Sequence, residues 1–343
     1  MKYTSLAFAA IAALAVGANA QTAKPKTPQA KPKPENKSTK GTVQMAGDNG
    51  KLNTTYTLGK VDPINITVTD VRFSISREIV GKDVVAANKD EKLMVIDFTA
   101  HNPNPQAIQF NGSSVKFTGV DQESVNRDHR YYFTRAKTGE VFNTELKPAQ
   151  KVELRTVIVV PAAGTVPKLM LEHRSGGPVL RIDTKPYLKT LDPVFADPKD
   201  ETGMTAAAMV KALNDVYYPL AQIDLKLNAQ DIAKHGNRFG PNTTGAGRIY
   251  ASVKFTLKGM SPQPAFLRFQ AELVDEDGGK HPVVKWAPAS TEDHFGSRVE
   301  MDEEVGVRFV AVIPENVKIK SVRVTDTSGK ASRMYVFPVG IGN

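Results

Sequence analysis

Cysteine is absent from all 343 residues, which removes disulfides, thiolate metal sites, a thiol nucleophile and a lipid anchor built on an N-terminal cysteine in one step. Whatever folds here is held by packing and backbone pairing alone. Tryptophan occurs once, at Trp286, and aromatic residues make up 7% of the chain, so platforms for stacking sugars are scarce. Trp286 itself reads as core or sheet face. The six histidines, His101, His129, His173, His235, His281 and His294, form no H-x-H or H-x-x-x-H pair, the spacings that suit zinc. No G-x-S-x-G elbow occurs, and TTGAGR at 243–248 leads into a strand pattern, so the helix dipole that phosphate loops exploit is missing. We therefore expect no catalytic residue and no cofactor.

Long apolar runs are also missing beyond residue 20. Before it stand one lysine, the stretch LAFAAIAALAVG and then Ala18-Asn19-Ala20, the pattern of a signal peptide over 1–20 with cleavage before Gln21. Residues 21–48 interleave lysine and proline with almost nothing apolar, which reads as a disordered tether. The net charge of +9 is concentrated there: residues 1–40 hold seven lysines against one glutamate. The remainder is mildly basic, so nucleic acid is not an expected partner. An exported protein without disulfides points to a bacterial envelope, periplasmic or extracellular, with no transmembrane segment once the leader is removed.

From about residue 56 the pattern is that of strands. Ile64, Ile66 and Val68 alternate with polar residues, and Val71, Phe73 and Ile75 continue the period-2 pattern past a bend. LMVIDFTAHNPNP at 93–105 is a long strand closed by prolines that cannot donate to a ladder. LKPAQKVELRTVIVVP at 146–161 returns as VEMDEEVGVRFVAVIP at 299–314. With a displacement of 157, Ile66 matches Ile223, Val68 matches Leu225, Ile75 matches Ile232, Phe98 matches Phe255 and Pro105 matches Pro262. With a displacement of 153, Leu146 matches Val299, Leu154 matches Val307, Arg155 matches Arg308, Pro161 matches Pro314, Leu169 matches Val322 and Ser175-Gly176 matches Ser328-Gly329. The matched positions are inward-facing residues and turns, so a fold is duplicated. Leu154 and Val307 are expected inside, with Arg155 and Arg308 outside.

The fold class expected is all-β: two tandem immunoglobulin-like sandwiches at 49–190 and 219–343. Between them, 191–218 reads as a linker carrying one short helix, with Thr205 as its cap, Met209, Ala212, Leu213, Val216 and Tyr217 on one stripe and Pro219 as its stop. Such a linker is expected to couple the sandwiches only loosely.

The succession DEKLMVIDFTAxN, VDQES, LKPAQKV and a closing VP over 58–183 resembles the telokin-like, immunoglobulin-like domains of unknown function of secreted bacterial proteins and lipoproteins. VDEDGG, VEMDEEV and VIP carry a fainter copy over 221–339. The resemblance implies a sandwich fold and brings no catalytic residues with it. The expected function is that of a non-enzymatic envelope protein, binding or scaffolding through its sandwich surfaces, with an envelope protein or a polysaccharide as partner. Two alternatives stand beside it. A calcium-dependent adhesion module would use the oxygen ligands Asp275, Glu276 and Asp277, the only metal candidates, although the distal glutamate of an EF-hand is missing. A carbohydrate-active hydrolase would need two carboxylates facing one cleft.

Overall fold

Lys151–Pro161 is a strand whose Val152, Leu154, Ile158 and Val160 are buried, because alternate side chains of an extended chain fall on one face. The computed structural model describes Gly41 and residues 49–130, 132–228, 232–296, 298–327 and 333–340. The expected leader, nearly all of the tether and Ser328-Gly329 lie outside the described residues. Strand Lys151–Pro161 pairs along its whole length with Glu91–His101, which pairs in turn with Ile64–Ser74. Thr55–Leu58 and Thr134–Arg135 complete this first sheet. Facing it, Val115–Val120, Asn126–Asp128, Lys168–His173 and Leu180–Asp183 make a second sheet. The two enclose one apolar core that includes Ile66, Phe98, Phe117, Leu154 and Leu169. The bend expected after Val68 is a β-bulge between Val68 and Asp70.

The second sandwich repeats this plan. Glu304–Pro314 pairs with Arg248–Gly259, and Ile319–Asp326 pairs with Phe269–Asp275. Strand Lys280–Pro288 joins the two sheets: its first residues pair with Phe269–Asp275, and from Val283 onward it pairs with Glu304–Pro314. The first sandwich makes the same crossing through Asn126–Asp128, which pairs with Val115–Val120, and His129, which bridges Ile158.

Backbone pairing tests the proposed duplication pair by pair. Leu154 lies opposite Phe98 and Val307 opposite Phe255; Leu146 lies opposite Ile108 and Val299 opposite Ala265. Both sets agree with the displacements read from the sequence. The corner before the late strand is copied bond for bond. Ala149 N–H donates to the Asn102 carbonyl in one sandwich, and Asp302 N–H to the Gly259 carbonyl in the other. Both residues sit in the left-handed region, with φ of 59° at Ala149 and 61° at Asp302. The early strand corrects the reading by two residues. Val68 faces Phe98, but the residue facing Phe255 is Leu227, so Ile66 corresponds to Leu225 and Val68 to Leu227. A slip of two keeps the same side chains inward and leaves the sequence pattern unchanged.

The expected linker helix does not form; among the described residues there is no helix. Met209–Lys211 is instead a strand paired in parallel with Met334–Pro338. Of the expected helical stripe, Met209, Leu213 and Val216 are exposed, Tyr217 is half-buried and Ala212 is buried, with Val210 buried beside it. Period 2 won because a sheet edge was available to take the segment. Thr205 does not cap a helix; its own N–H is bound by Asp200 Oδ2 at 2.7 Å. Nor is the segment a free linker, since Leu191 and Ala206 belong to the first core and Ala207, Val210 and Tyr218 to the second.

Arg155 also departs from expectation. Leu154 and Val307 are fully buried as expected, but Arg155 turns along the sheet into an ion network, 2.6 Å from Asp97 and 3.0 Å from Glu78. Arg72 closes the network on Asp97 at 2.7 Å. Burial by itself would raise the Asp97 carboxyl, yet the hydrogen bonds from Arg155 and Arg72 prevail and hold it below its usual range. Glu78, more enclosed, is pushed up by burial despite Arg155. Among the described residues Arg308 donates only to the carbonyls of Pro288 and Thr291, and it lies over the Phe239 ring. We expect Leu154→Ala and Val307→Ala each to cost about 2–4 kcal/mol through lost burial and a cavity. Arg155→Ala should cost about 1–3 kcal/mol, since it leaves Asp97 and Glu78 facing one another, and Arg308→Ala should cost less. Urea unfolding curves check this order; an Arg155→Ala variant as stable as the parent would mean that the network contributes nothing net.

Candidate functional site

The acidic turn singled out as a calcium candidate is built to satisfy itself. Asp275 is buried, its Oδ1 accepts from the Gly279 amide at 2.6 Å, and its Oδ2 lies 2.9 Å from His281 Nε2. The His281 bond, ahead of the opposing effect of burial, holds the carboxyl below its usual range. A Cβ at position 279 would sit 2.4 Å from Asp275 Oδ2, so a side chain there would push on the bonded carboxylate. Glu276 and Asp277 are exposed and do not join Asp275 in a cage; among the described residues no three carboxylates or histidines are grouped to hold a metal ion. The other sandwich explains the design. Asp121 accepts from the amides of Glu123 and Val125 at 3.1 and 2.8 Å and from Arg127 at 3.3 Å. Asp121 and Asp275, like Arg127 and His281, are 154 residues apart, so this is one turn used twice.

Where the copies differ, a cleft opens. In the first sandwich Phe133 is fully buried, with ring centroids of Phe117 at 5.7 Å and His129 at 5.5 Å. His129 is pinned there, its Nδ1 accepting from the Phe117 amide and its Nε2 facing the Gly112 carbonyl at 2.9 Å. Strand pairing places Trp286 at the position of Phe133, Ala271 at that of Phe117 and Val283 at that of His129. Phe142 N–H bonds the Phe133 carbonyl, and Phe295 N–H bonds the Trp286 carbonyl, which fixes the equivalence. Two rings have thus been exchanged for a methyl and an isopropyl group. Beside them lies a cleft of about 590 Å³, lined by Trp286, Phe269, Ala271 and Val283 with Gln270, Glu272, Lys280, Arg323 and Thr325. Trp286 is half-buried and stacks on Phe269 with centroids 4.7 Å apart. Arg323 and Lys280 each reach Glu272 at 3.6 Å. The buried Nε of Arg323 has no hydrogen-bond partner among the described residues, an unpaired donor of the kind that a polar ligand satisfies.

A second concentration of unusual chemistry lies where the sandwiches meet. Arg77 reaches across to the carbonyls of Ala221 and Ile223 and to Asp224 Oδ1 at 2.5 Å. Arg333 reaches back to the carbonyls of Asn88 and Glu91 at 3.3 and 3.0 Å and to Ala207 at 3.0 Å. Lys92, 1% exposed, donates to the carbonyls of Ala162, Gly164 and Met204 and lies 3.9 Å from the centre of the Phe73 ring. Sequence reading missed all three residues, because lysine and arginine are surface residues by default.

No protein-family model matches this chain, and no curated protein does. Among solved structures, the chain is similar to the secreted protein MPT63 of Mycobacterium tuberculosis, with 13% identity over 40% of this chain and 96% of that one, at a TM-score of 0.29. It is also similar to an uncharacterized β-sandwich protein of Clostridium difficile, with 14% identity over 37% and 92% of the two chains and a TM-score of 0.27. The yjhA protein of Bacillus subtilis shares 17% identity over 41% of this chain and 99% of its own, with a TM-score of 0.27.

Burial pushes the Lys92 ammonium down to about 8 from 10.5, with Asp200 opposing. Between those two values the unfolded chain binds more protons at this site than the native one does, so stability contributed by Lys92 rises with pH across that window. Lys92→Met removes this titration and deprives three carbonyls of their donor, so the variant should be the less stable protein at neutral pH. Above about pH 8 the parent should gain further on the variant. Chemical denaturation of both proteins at a series of pH values checks this; a difference constant through the window would mean that Lys92 stays charged in the native state.

Proposed function

We propose that this protein is an exported, non-enzymatic binding module of the bacterial envelope, and that the lateral cleft of its second sandwich seats a short segment of glycan. The observation that carries the reading is the exchange of Phe117 and His129 for Ala271 and Val283, beside which the space at Trp286 is about 590 Å³, against about 190 Å³ at Phe133 in the first sandwich. A half-buried tryptophan offers a flat apolar face, and Gln270, Glu272, Thr325 and Arg323 bring hydrogen-bonding groups to the same walls, the mixture that sugar rings require. Binding is favoured over hydrolysis because the lining holds one carboxylate, Glu272, already paired with Lys280 and Arg323, whereas glycosidic cleavage uses two. Export is supported by the A-x-A leader pattern before Gln21. Against the calcium-adhesion alternative stand the bonds that Asp275 makes within its own turn.

Because Trp286 is the single tryptophan of the chain, its fluorescence reports on the cleft directly. Titration with soluble oligosaccharides of hexoses and of N-acetylhexosamines should give a saturable change in emission with one of them, and chromatography should recover that sugar uncut. Ala271→Phe, which restores the ring present in the first sandwich, should abolish the response in a protein that still folds. An absent response, or one untouched by Ala271→Phe, would refute the assignment of the cleft.

A further inference from the structure

The junction between the sandwiches holds a cleft of its own, about 250 Å³ in volume, whose walls include Arg77, Arg268 and Arg333. We propose that this cleft is a binding site for a small oxyanion, a carboxylate or phosphate group, gripped by these three guanidiniums. The proposal is independent of the glycan cleft, which shares none of these residues.

Two of the three arginines are fixed. The Arg77 side chain is 5% exposed and Arg333 is 4% exposed, and each is anchored by groups of the opposite sandwich: Arg77 by the Ala221 and Ile223 carbonyls and Asp224, Arg333 by the Asn88 and Glu91 carbonyls. The anchoring bonds use Nε and Nη2 of Arg77 and Nη2 of Arg333, whose Nε donates to the Ala207 carbonyl of its own sandwich, so their orientation is set before any ligand arrives and the ordering cost is already met. The third is different. Arg268 is exposed, and its side chain makes no hydrogen bond or ion pair among the described residues, which leaves it able to close on a ligand. Among the described residues the three guanidiniums face Asp326 in the lining and Asp224 in an ion pair with Arg77, which leaves the balance positive, while the amide side chain of Gln222 adds a neutral donor. Arg333 is compensated mainly by carbonyl dipoles, a weaker counterpart for a buried cation than an anion. Arg268 can present the parallel N–H groups that match two oxygens of a carboxylate or phosphate, while Arg77 and Arg333, with Nε and Nη2 engaged, keep Nη1 for single bonds.

Size narrows the ligand. At about 30 Å³ per water, the cleft has the capacity of roughly eight waters, enough for a monophosphate or a small dicarboxylic acid and too little for a folded or polymeric partner. Since the fixed guanidiniums come from opposite sandwiches, an anion between them also ties the halves together. Its binding should therefore raise the melting temperature of the whole chain.

The test is calorimetric titration of the full chain at low ionic strength with inorganic phosphate and, separately, with succinate. One-to-one saturable binding of either supports the proposal: a response to phosphate alone assigns a phosphate site, a response to succinate alone a carboxylate site. Arg268→Gln, which breaks no hydrogen bond or ion pair among the described residues, should weaken that binding by roughly tenfold, the loss expected of one charge-assisted pair. The melting temperature of the ligand-free Arg268→Gln protein should not change. Ala271→Phe, in the other cleft, should leave anion binding intact. Absence of saturable heat with both anions, or equal affinity in Arg268→Gln and the parent, would overturn the proposal.

Discussion

Two buried arginines set the relation between the two sandwiches, and a buried lysine ties the connecting segment to the first of them. Arg77 and Arg333 cross the junction in opposite directions, and Lys92 fixes the connecting segment through Met204 to the turn at Ala162 and Gly164. Taking a guanidinium or ammonium out of water costs several kcal/mol unless its donors are met. Here they are met mainly by backbone carbonyls, and those that Arg77 and Arg333 reach across the junction are in place only when both sandwiches are folded and docked. The cost of a misaligned junction is therefore high, and the docked arrangement is specified more sharply than apolar contacts such as Phe195 against both cores could specify it.

Duplication supplied two copies of one scaffold, and the copies diverged where packing allowed. The parts retained are those the backbone requires: the left-handed residue at Ala149 and Asp302, the self-capped acidic turns at Asp121 and Asp275, and the strand that crosses between sheets. The parts that changed are rings. Phe117, His129 and Phe133 fill the first sandwich, and Ala271, Val283 and Trp286 leave the second open on the same side. A sandwich keeps its two-sheet core while losing such rings because Phe255, Phe309 and Phe337 still fill its centre. The cleft is thus compatible with the stability of the fold that carries it.

Much of this architecture was legible because inward-facing residues obey a period of two. The late strands and their matched Leu154 and Val307 could be placed without coordinates. The early strand could not be placed to better than two residues, since Leu225 and Leu227 have the same character and the same face. At 205–219 two periods competed, and short apolar spacing alone does not separate a helix from an edge strand; the deciding fact, a free sheet edge at Met334–Pro338, belongs to tertiary structure. Neither cleft was legible. One arises from substitutions at 271 and 283 that become visible only after both ladders are aligned, and a ring-by-ring comparison of the copies would have exposed it. The other depends on Arg77 and Arg333, 256 positions apart in the chain, meeting at one junction.

The central claim is that buried cations make the two sandwiches one cooperative structure and not two beads on a flexible linker. Differential scanning calorimetry of the full chain addresses it directly. The account predicts a single transition whose calorimetric and van't Hoff enthalpies agree. Two resolved transitions, each carrying the enthalpy of one sandwich, would contradict it.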